Sequence, residues 1–293
     1  MKAKLFLLFA LLCALLLSSC SSRTTCDIAA TTAPVYTFTQ YLCRNTPLQV
    51  ERVITENVSC LHDYTLQVGQ MRLLQGADMV VISGAGLEDF MEDALTGSKQ
   101  VVDASEGIEL LHTEECSTDD DHDHGHHHEQ DPHIWLSPDL GILMAENICV
   151  QLCATYPDYS ATFLENLSAF REEMQELKEY GLEKLQTLSC RELITFHDGF
   201  AYFAQAFDLT ILEAVEEESG SEASAKELIH LAELIEANQI PGIFIETNGS
   251  VSAANTLSAE LGVPVYTLDM AMGEQDYFEV MYRNIDTLWE ALQ

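Results

Sequence analysis

After its first 26 residues, the chain alternates short apolar runs with amphipathic stretches. The stretches between the runs place apolar residues three and four positions apart, which is the spacing of a helix that buries one face. Strands that alternate with helices predict a parallel sheet covered by helices. The runs with the length and content of buried strands are residues 28–31, 49–54, 79–82 and 100–102.

The same alternation returns in the last third of the chain, where residues 225–237 carry helical spacing. Four further strands are predicted there, at residues 192–195, 209–212, 242–245 and 263–268. The sequence therefore predicts an α/β protein of two lobes, each a parallel sheet flanked by helices, over residues 27–157 and 190–293. Two lobes form a cleft between them, and clefts are where small ligands bind.

One long helix is predicted between the two lobes, over residues 158–189. Pro157 and Asp158 are start signals, and about 29 helical residues at 1.5 Å each would span roughly 43 Å. We interpret this segment as a rigid linking helix, because a coiled-coil arm would need more heptads. The apolar positions of its stripe are Phe163, Leu167, Phe170, Met174, Leu177, Leu185 and Leu188.

The amino terminus predicts an export signal over residues 1–19, in which Lys2 and Lys4 precede an apolar run at residues 5–17. That run is too short to span a bilayer, which takes about 20 residues. The sequence Leu-Ser-Ser-Cys ending at Cys20 resembles the bacterial lipobox, in which the cysteine carries lipid, although an ordinary signal peptide remains an alternative. We expect a lipid-anchored protein on the outer face of the cytoplasmic membrane or in the periplasm, with a tether over residues 20–26.

The composition limits which kinds of partner the protein can bind and how its cysteines can pair. The formal net charge is −35, and loss of the two lysines of the signal lowers it to −37. This charge argues against a nucleic-acid partner, because phosphate binding needs clustered cations. Of nine cysteines, seven remain after removal of Cys13 and Cys20, an odd number that cannot pair completely within one chain. Their pairing stays open among Cys26, Cys43, Cys60, Cys116, Cys149, Cys153 and Cys190.

An acidic, histidine-rich tract covers residues 119–129 and has no apolar side chain with which to pack. Imidazoles and carboxylates at this density bind borderline metals such as zinc. A solvated polar loop is the alternative. Because a mobile loop loses entropy when it closes on an ion, we expect a weak collector of metal rather than the specific site. Its histidines are His122, His124, His126, His127 and His128.

Three other histidines and one aspartate share a position near a predicted strand end or helix start. They are His62, His133, His197 and Asp269. The carboxyl edge of a parallel sheet is its ligand-binding edge. Each residue alone is more often a satisfied polar side chain, but three imidazoles and a carboxylate together suit a four-coordinate Zn²⁺. His112 is interpreted as an extension of the acidic tract, and His230 as a surface or packing residue.

Several segments resemble the zinc and manganese substrate-binding proteins of ABC importers, in the same order along the chain. They are residues 31–36 (TTAPVY), 62–64 (HDY), 77–88 (ADMVVISGAGLE), 131–138 (DPHIWLSP), 196–203 (FHDGFAYF) and 284–288 (NIDTL). The resemblance implies two α/β lobes, one rigid helix and a metal between the lobes, bound by His62, His133, His197 and Asp269. It also implies a carrier without enzymatic activity, which we expect to be a monomer that delivers its ion to a membrane permease.

His197 favours zinc over manganese, because zinc-type members of this family carry histidine there and manganese-type members carry glutamate. The acidic tract also resembles the zinc branch, and nitrogen-rich sites suit zinc better than manganese. The segment around His62 departs from the family by lacking its prolines. Leu61 cannot supply a ligand there, whereas Cys60 could, unless it pairs with Cys43, and Asp63 is a further candidate.

Other functions remain open on the sequence. A manganese or iron carrier is the nearest alternative. A surface zinc hydrolase could use Glu246 as its base, but the chain has no His-Glu-x-x-His segment. A surface adhesin is a third possibility, for which no large apolar patch is evident.

Overall fold

A computed structural model describes residues 26–56, 61, 64–112, 130–215, 223–247, 249 and 251–293. The predicted export signal, the tether up to residue 25 with its Cys20, His62 and the tract at 119–129 lie outside these ranges. Within the described ranges, none of the helices has the length and hydropathy to cross a bilayer.

The amino-terminal half contains a four-stranded sheet in the order β2-β1-β3-β4, with every pair parallel. Strand β2 is shorter than predicted, but Val53 and Ile54 still donate backbone hydrogen bonds to the continuation of β1, so the pairing extends beyond the regular strand. The strands are β1 (Ile28–Ala30), β2 (Val50–Arg52), β3 (Met79–Ile82) and β4 (Val101–Asp103). The helices are α1 (Ala33–Leu42), α2 (Val68–Gly76), α3 (Glu92–Leu95) and α4 (Pro138–Thr155).

The carboxyl-terminal half repeats this arrangement, with a parallel sheet in the order β6-β5-β7-β8. The predicted α/β class with two lobes is therefore confirmed, while the lobe boundaries stay a prediction. The strands are β5 (Glu192–Thr195), β6 (Thr210–Ala214), β7 (Ile243–Glu246) and β8 (Val265–Leu268). With α5 (Ser160–Leu185) between the lobes, the helices of this half are α6 (Ala201–Ala206), α7 (Ala225–Asn238), α8 (Ser252–Leu261) and α9 (Tyr277–Leu292).

The long helix α5 follows a short 3-10 turn at Pro157–Tyr159 and has 26 residues, about 39 Å at the usual rise. Its predicted apolar stripe is buried from Phe163 to Leu185. The helix ends before Leu188, contrary to the prediction, because the chain turns toward β5. There the amides of Ser189 and Cys190 donate to the backbone oxygen of Leu292 at the end of α9.

The two lobes share a large apolar core, and a second, smaller cluster lies within the carboxyl-terminal lobe. Helix α9 leaves the second sheet and packs against α5 and α1 of the first lobe. Phe38 on α1 lies edge to face with Phe170 on α5 and with Tyr277 on α9, each at 5.0 Å between ring centroids. All three rings are fully buried. Aromatic side chains carry large buried areas, so this cluster joins the lobes into one packed body.

Gly181 brings α5 and the second lobe into contact. A Cβ at this position would lie 2.2 Å from Phe207 and 3.0 Å from Ile285. We expect Gly181→Ala to lower the free energy of unfolding by about 1–3 kcal/mol, because overpacking outweighs the gain of about 1 kcal/mol in helix propensity. Chemical denaturation measures this. Gly69→Ala is the matched control, since a Cβ on this α2 residue meets nothing within 4 Å. Equal stability of the two variants would contradict the packing.

Candidate metal centre

The predicted ligands that the structure describes lie where the two lobes meet. His133 comes just before a 3-10 turn at Ile134–Leu136 that leads into α4. His197 follows β5 by two residues, and Asp269 directly follows β8. Carboxyl ends of neighbouring parallel strands share one edge of a sheet. The second lobe therefore presents its sheet edge to a loop of the first lobe.

A buried carboxylate orients His133. Its Nδ1 lies 2.7 Å from Oδ1 of Asp131, and its backbone amide donates to the same oxygen at 2.8 Å. Asp131 is only 2% exposed. Because a carboxylate oxygen accepts hydrogen bonds, Nδ1 of His133 is the donor in this pair, which leaves Nε2 as the nitrogen that can bind a metal. This carboxylate–imidazole pair is the arrangement that prepares histidines to bind metal.

His197 meets His133 across the boundary between the lobes. Their ring centroids are 5.3 Å apart, and the ring planes are inclined by 82°. Gly199 makes room for the His197 ring, because a Cβ there would lie 2.8 Å from its Cδ2. A glycine at position 199 is thus required by the packing beside His197.

Glu246 ends β7 on the same edge, with its Oε2 3.7 Å from Nδ1 of His197. Burial raises the pKa of this carboxyl to about 7; the charge of His133 lowers the pKa and that of Asp269 raises it further. Each imidazole therefore has an acidic side chain on its Nδ1 side. The sequence suggested Glu246 only as a hydrolytic base, although its position at the end of a central strand could have indicated this supporting role.

Asp269 is held by helix α9. Its amide donates to Oδ1 of Asn284 at 3.0 Å, and Nδ2 of Asn284 donates to its backbone oxygen at 2.7 Å. Within the carboxylate, Oδ1 accepts from the amide of Ala271 at 2.8 Å, and Oδ2 accepts from Arg283 at 3.1 Å. Both oxygens therefore have partners of their own.

The structure brings His133 and His197 together, and it holds the carboxylate of Asp269 in an ion pair with Arg283. Among the residues it describes, no group of three or more His, Cys, Asp or Glu side chains is arranged to hold a metal ion. The third predicted imidazole, His62, lies outside those residues. A closed ligand shell therefore stays a prediction.

Hydrogen bonds across the lobe boundary fix the loop that carries His133. Nε1 of Trp135 donates to the backbone oxygen of Met270 at 2.8 Å, and the hydroxyl of Tyr277 donates to the backbone oxygen of Trp135 at 2.6 Å. Tyr202 adds a third bond from its hydroxyl to the backbone oxygen of Asp131 at 3.0 Å. The sequence did not predict these contacts, since each joins residues about 70 or more positions apart.

The other described histidines lie apart from this centre or at the edge of the acidic tract. His112 pairs with Gln130 in an isolated antiparallel bridge. His230 is exposed on α7, with its Nε2 3.8 Å from Glu213. The described cysteines, namely Cys26, Cys43, Cys149, Cys153 and Cys190, are thiols.

Comparison with known proteins gives a consistent result. The family model "ZnuA: Zinc-uptake complex component A periplasmic" matches residues 28–291. The zinc-binding lipoprotein AdcA of Streptococcus pneumoniae (strain ATCC BAA-255 / R6) is 34% identical over 303 residues, which cover 97% of this chain and 60% of that protein. The chain thus spans less than two thirds of that relative's length.

Two crystal structures show the same fold. One of ZnuA has a TM-score of 0.80 and 28% identity, and the match covers 92% of this chain and all of the other. One of Zn(II)-bound AdcA from S. pneumoniae has a TM-score of 0.75 and 30% identity, covering 92% of this chain and 58% of the other.

Asp131 should control how well His133 binds a metal. We expect Asp131→Asn to weaken binding of a divalent metal by about 10- to 100-fold, because the amide no longer holds the imidazole by a charged acceptor. Competition with a chromophoric chelator measures the affinity, and nitrogen NMR of the imidazole reports its tautomer. Asp139→Asn is the control, since Asp139 pairs with Lys178 on the surface. An unchanged affinity in the Asp131 variant would contradict the role.

Proposed function

We propose that this chain, which belongs to the family of the zinc-uptake complex component ZnuA, is an exported solute-binding protein that captures Zn²⁺ between its lobes. It then delivers the ion to the permease of an ABC importer. The protein acts as a monomeric carrier and transforms no substrate, so zinc is its cargo rather than a catalytic cofactor.

The observation that carries this proposal is the geometry of His133 and His197. Two imidazoles that bind one tetrahedral ion at roughly 2.0–2.1 Å place their ring centroids about 5 Å apart. The observed separation is 5.3 Å. Both Nδ1 atoms face carboxylates, at Asp131 and Glu246. The Nε2 atoms are thus the ligand atoms that we assign to the ion.

We propose His62, His133, His197 and Asp269 as the ligand set. Three imidazoles favour zinc over manganese or iron, because oxygen ligands suit manganese better. The similar proteins named for zinc agree with this choice. The tract with His122, His124, His126, His127 and His128 would collect ions at low affinity and pass them to this centre.

The alternative of a zinc hydrolase has less support. Glu246 is 3% exposed and faces the Nδ1 side of His197, whereas a catalytic base must reach water bound on the metal's open side. Its position suits a residue that orients a ligand. Nothing among the described contacts favours the adhesin alternative.

We place the protein outside the cytoplasmic membrane, either held there by lipid on Cys20 or in the periplasm. The relative AdcA is itself named a lipoprotein. The signal pattern before Cys20 likewise indicates an exported protein with lipid on this cysteine. Membership of the same family and the proposed anchor both support delivery to a permease.

Removing either central imidazole should abolish tight binding, whereas removing the acidic tract should not. We expect His133→Ala and His197→Ala to weaken one-to-one zinc binding by at least about 100-fold, since each loses a ligand bond. Deletion of residues 119–129 should remove only weak additional ions. Calorimetry with a competing chelator measures both, and His230→Ala, on the surface of α7, is the control. Loss of all tight binding in the deletion variant would overturn the assignment.

Lipid attachment can be tested in cells. We expect Cys20→Ala to move the protein from the membrane fraction to the soluble fraction and to abolish incorporation of labelled palmitate, because the acylated side chain is absent. Cys26→Ala, six residues on, is the control and should stay with the membrane. Retention of label by the Cys20 variant would contradict the proposed anchor.

A further inference from the structure

Arg283 forms an ion pair with the carboxylate of Asp269, which is proposed as the fourth ligand. Its guanidinium donates to Oδ2 of Asp269 at 3.1 Å and also to the side-chain oxygen of Gln275. The next residue, Asn284, bonds both the amide and the carbonyl of Asp269. One turn of α9 therefore fixes the backbone of Asp269 and holds its side chain by a separate contact.

The contacts that Arg283 and Asn284 make with Asp269 differ in their exposure to solvent. The side chain of Asp269 is 15% exposed, whereas that of Arg283 is 48% exposed. Asn284 is buried at 1% exposure. The backbone of Asp269 is thus anchored within the core, while the guanidinium that holds its carboxylate lies half in solvent. Arg283 can be exchanged without opening the core.

We propose that Arg283 is a specificity-determining residue, which limits how far Asp269 acts as a metal ligand and thereby disfavours cations that prefer oxygen. This inference rests on the proposed function, because it concerns the same lobe-interface site. The arginine retains the carboxylate in an ion pair, so that the imidazoles dominate the ligand set.

The physical reason is competition for one pair of carboxylate oxygens. An oxygen that accepts from a guanidinium has less electron density to offer a metal, and the fixed positive charge repels a dication nearby. Zn²⁺ is well satisfied by a small, nitrogen-rich tetrahedral shell. Mn²⁺ prefers carboxylate oxygen and more ligands, so it loses more when Asp269 is withheld.

The test compares Zn²⁺ and Mn²⁺ affinities, by chelator competition, in the full chain and in variants of Arg283. We expect Arg283→Met to raise Mn²⁺ affinity by about tenfold or more and Zn²⁺ affinity by clearly less, since a nearby charge is removed and Asp269 is released. The zinc-to-manganese affinity ratio should fall accordingly. Arg283→Lys keeps the charge and should stay close to the unmodified protein.

Arg171→Met is the matched control. Arg171 is likewise about half exposed and pairs with Glu146 on the outside of the helices, at 2.7 Å. Arg171→Met changes the net charge by the same amount as Arg283→Met, so the zinc-to-manganese affinity ratio of this control should equal that of the unmodified protein. Thermal unfolding of each variant checks that the fold is intact; should Arg283→Met be unfolded, Arg283→Gln replaces it in the comparison.

Asp269→Asn shows whether the effect passes through the carboxylate. In its background, Arg283→Met should raise manganese affinity clearly less than it does with Asp269 present, because only the charge repulsion is then removed. An unchanged zinc-to-manganese ratio in Arg283→Met, or an equal gain with and without Asp269, would overturn the inference. Failure of the proposed function looks different, because the unmodified protein itself would then show no tight one-to-one zinc binding.

Discussion

Two hydrogen bonds across the lobe boundary determine where the candidate centre forms. Trp135 donates to the backbone of Met270 and accepts from Tyr277, so the loop that carries His133 is fastened to the second lobe. Trp135 and Tyr277 are almost completely buried, where an unmade hydrogen bond costs about 1–3 kcal/mol. These hydrogen bonds therefore position His133 beside His197. The packing of α5 with its aromatic neighbours holds the two lobes together.

The acidic side chains behind the imidazoles give the centre its charge. Asp131 and Glu246 are buried at 2% and 3% exposure, each on the Nδ1 side of one histidine. Buried carboxylates are costly unless hydrogen-bonded or paired with positive charge. Asp131 is hydrogen-bonded to His133, and a divalent cation bound by the two imidazoles would add positive charge near both carboxylates, which favours its binding. Arg283 places one positive charge beside Asp269 and so makes the electrostatic potential of the centre less negative.

Much of the fold could be predicted because its signals are local. Both parallel sheets and the buried stripe of α5 were visible as apolar runs and helical spacing. Local signals did not predict where α5 stops. The helix ends before Leu188, and hydrogen bonds join the following residues to the last turn of α9. For the centre, position at strand ends and a family resemblance predicted His133, His197 and Asp269 as ligands, and the structure brings the first two together. The role of Glu246 could have been indicated by its position at the end of a central strand, whereas the contact of Arg283 with Asp269 joins separate elements, which no spacing reveals.

Diffraction from zinc-loaded crystals, recorded on both sides of the zinc absorption edge, tests most directly whether imidazoles from both lobes bind one ion. A single strong anomalous peak is predicted between the lobes, about 2.0–2.1 Å from Nε2 of His133 and from Nε2 of His197. Peaks confined to residues 119–129, or separate ions on the two histidines, would contradict the account.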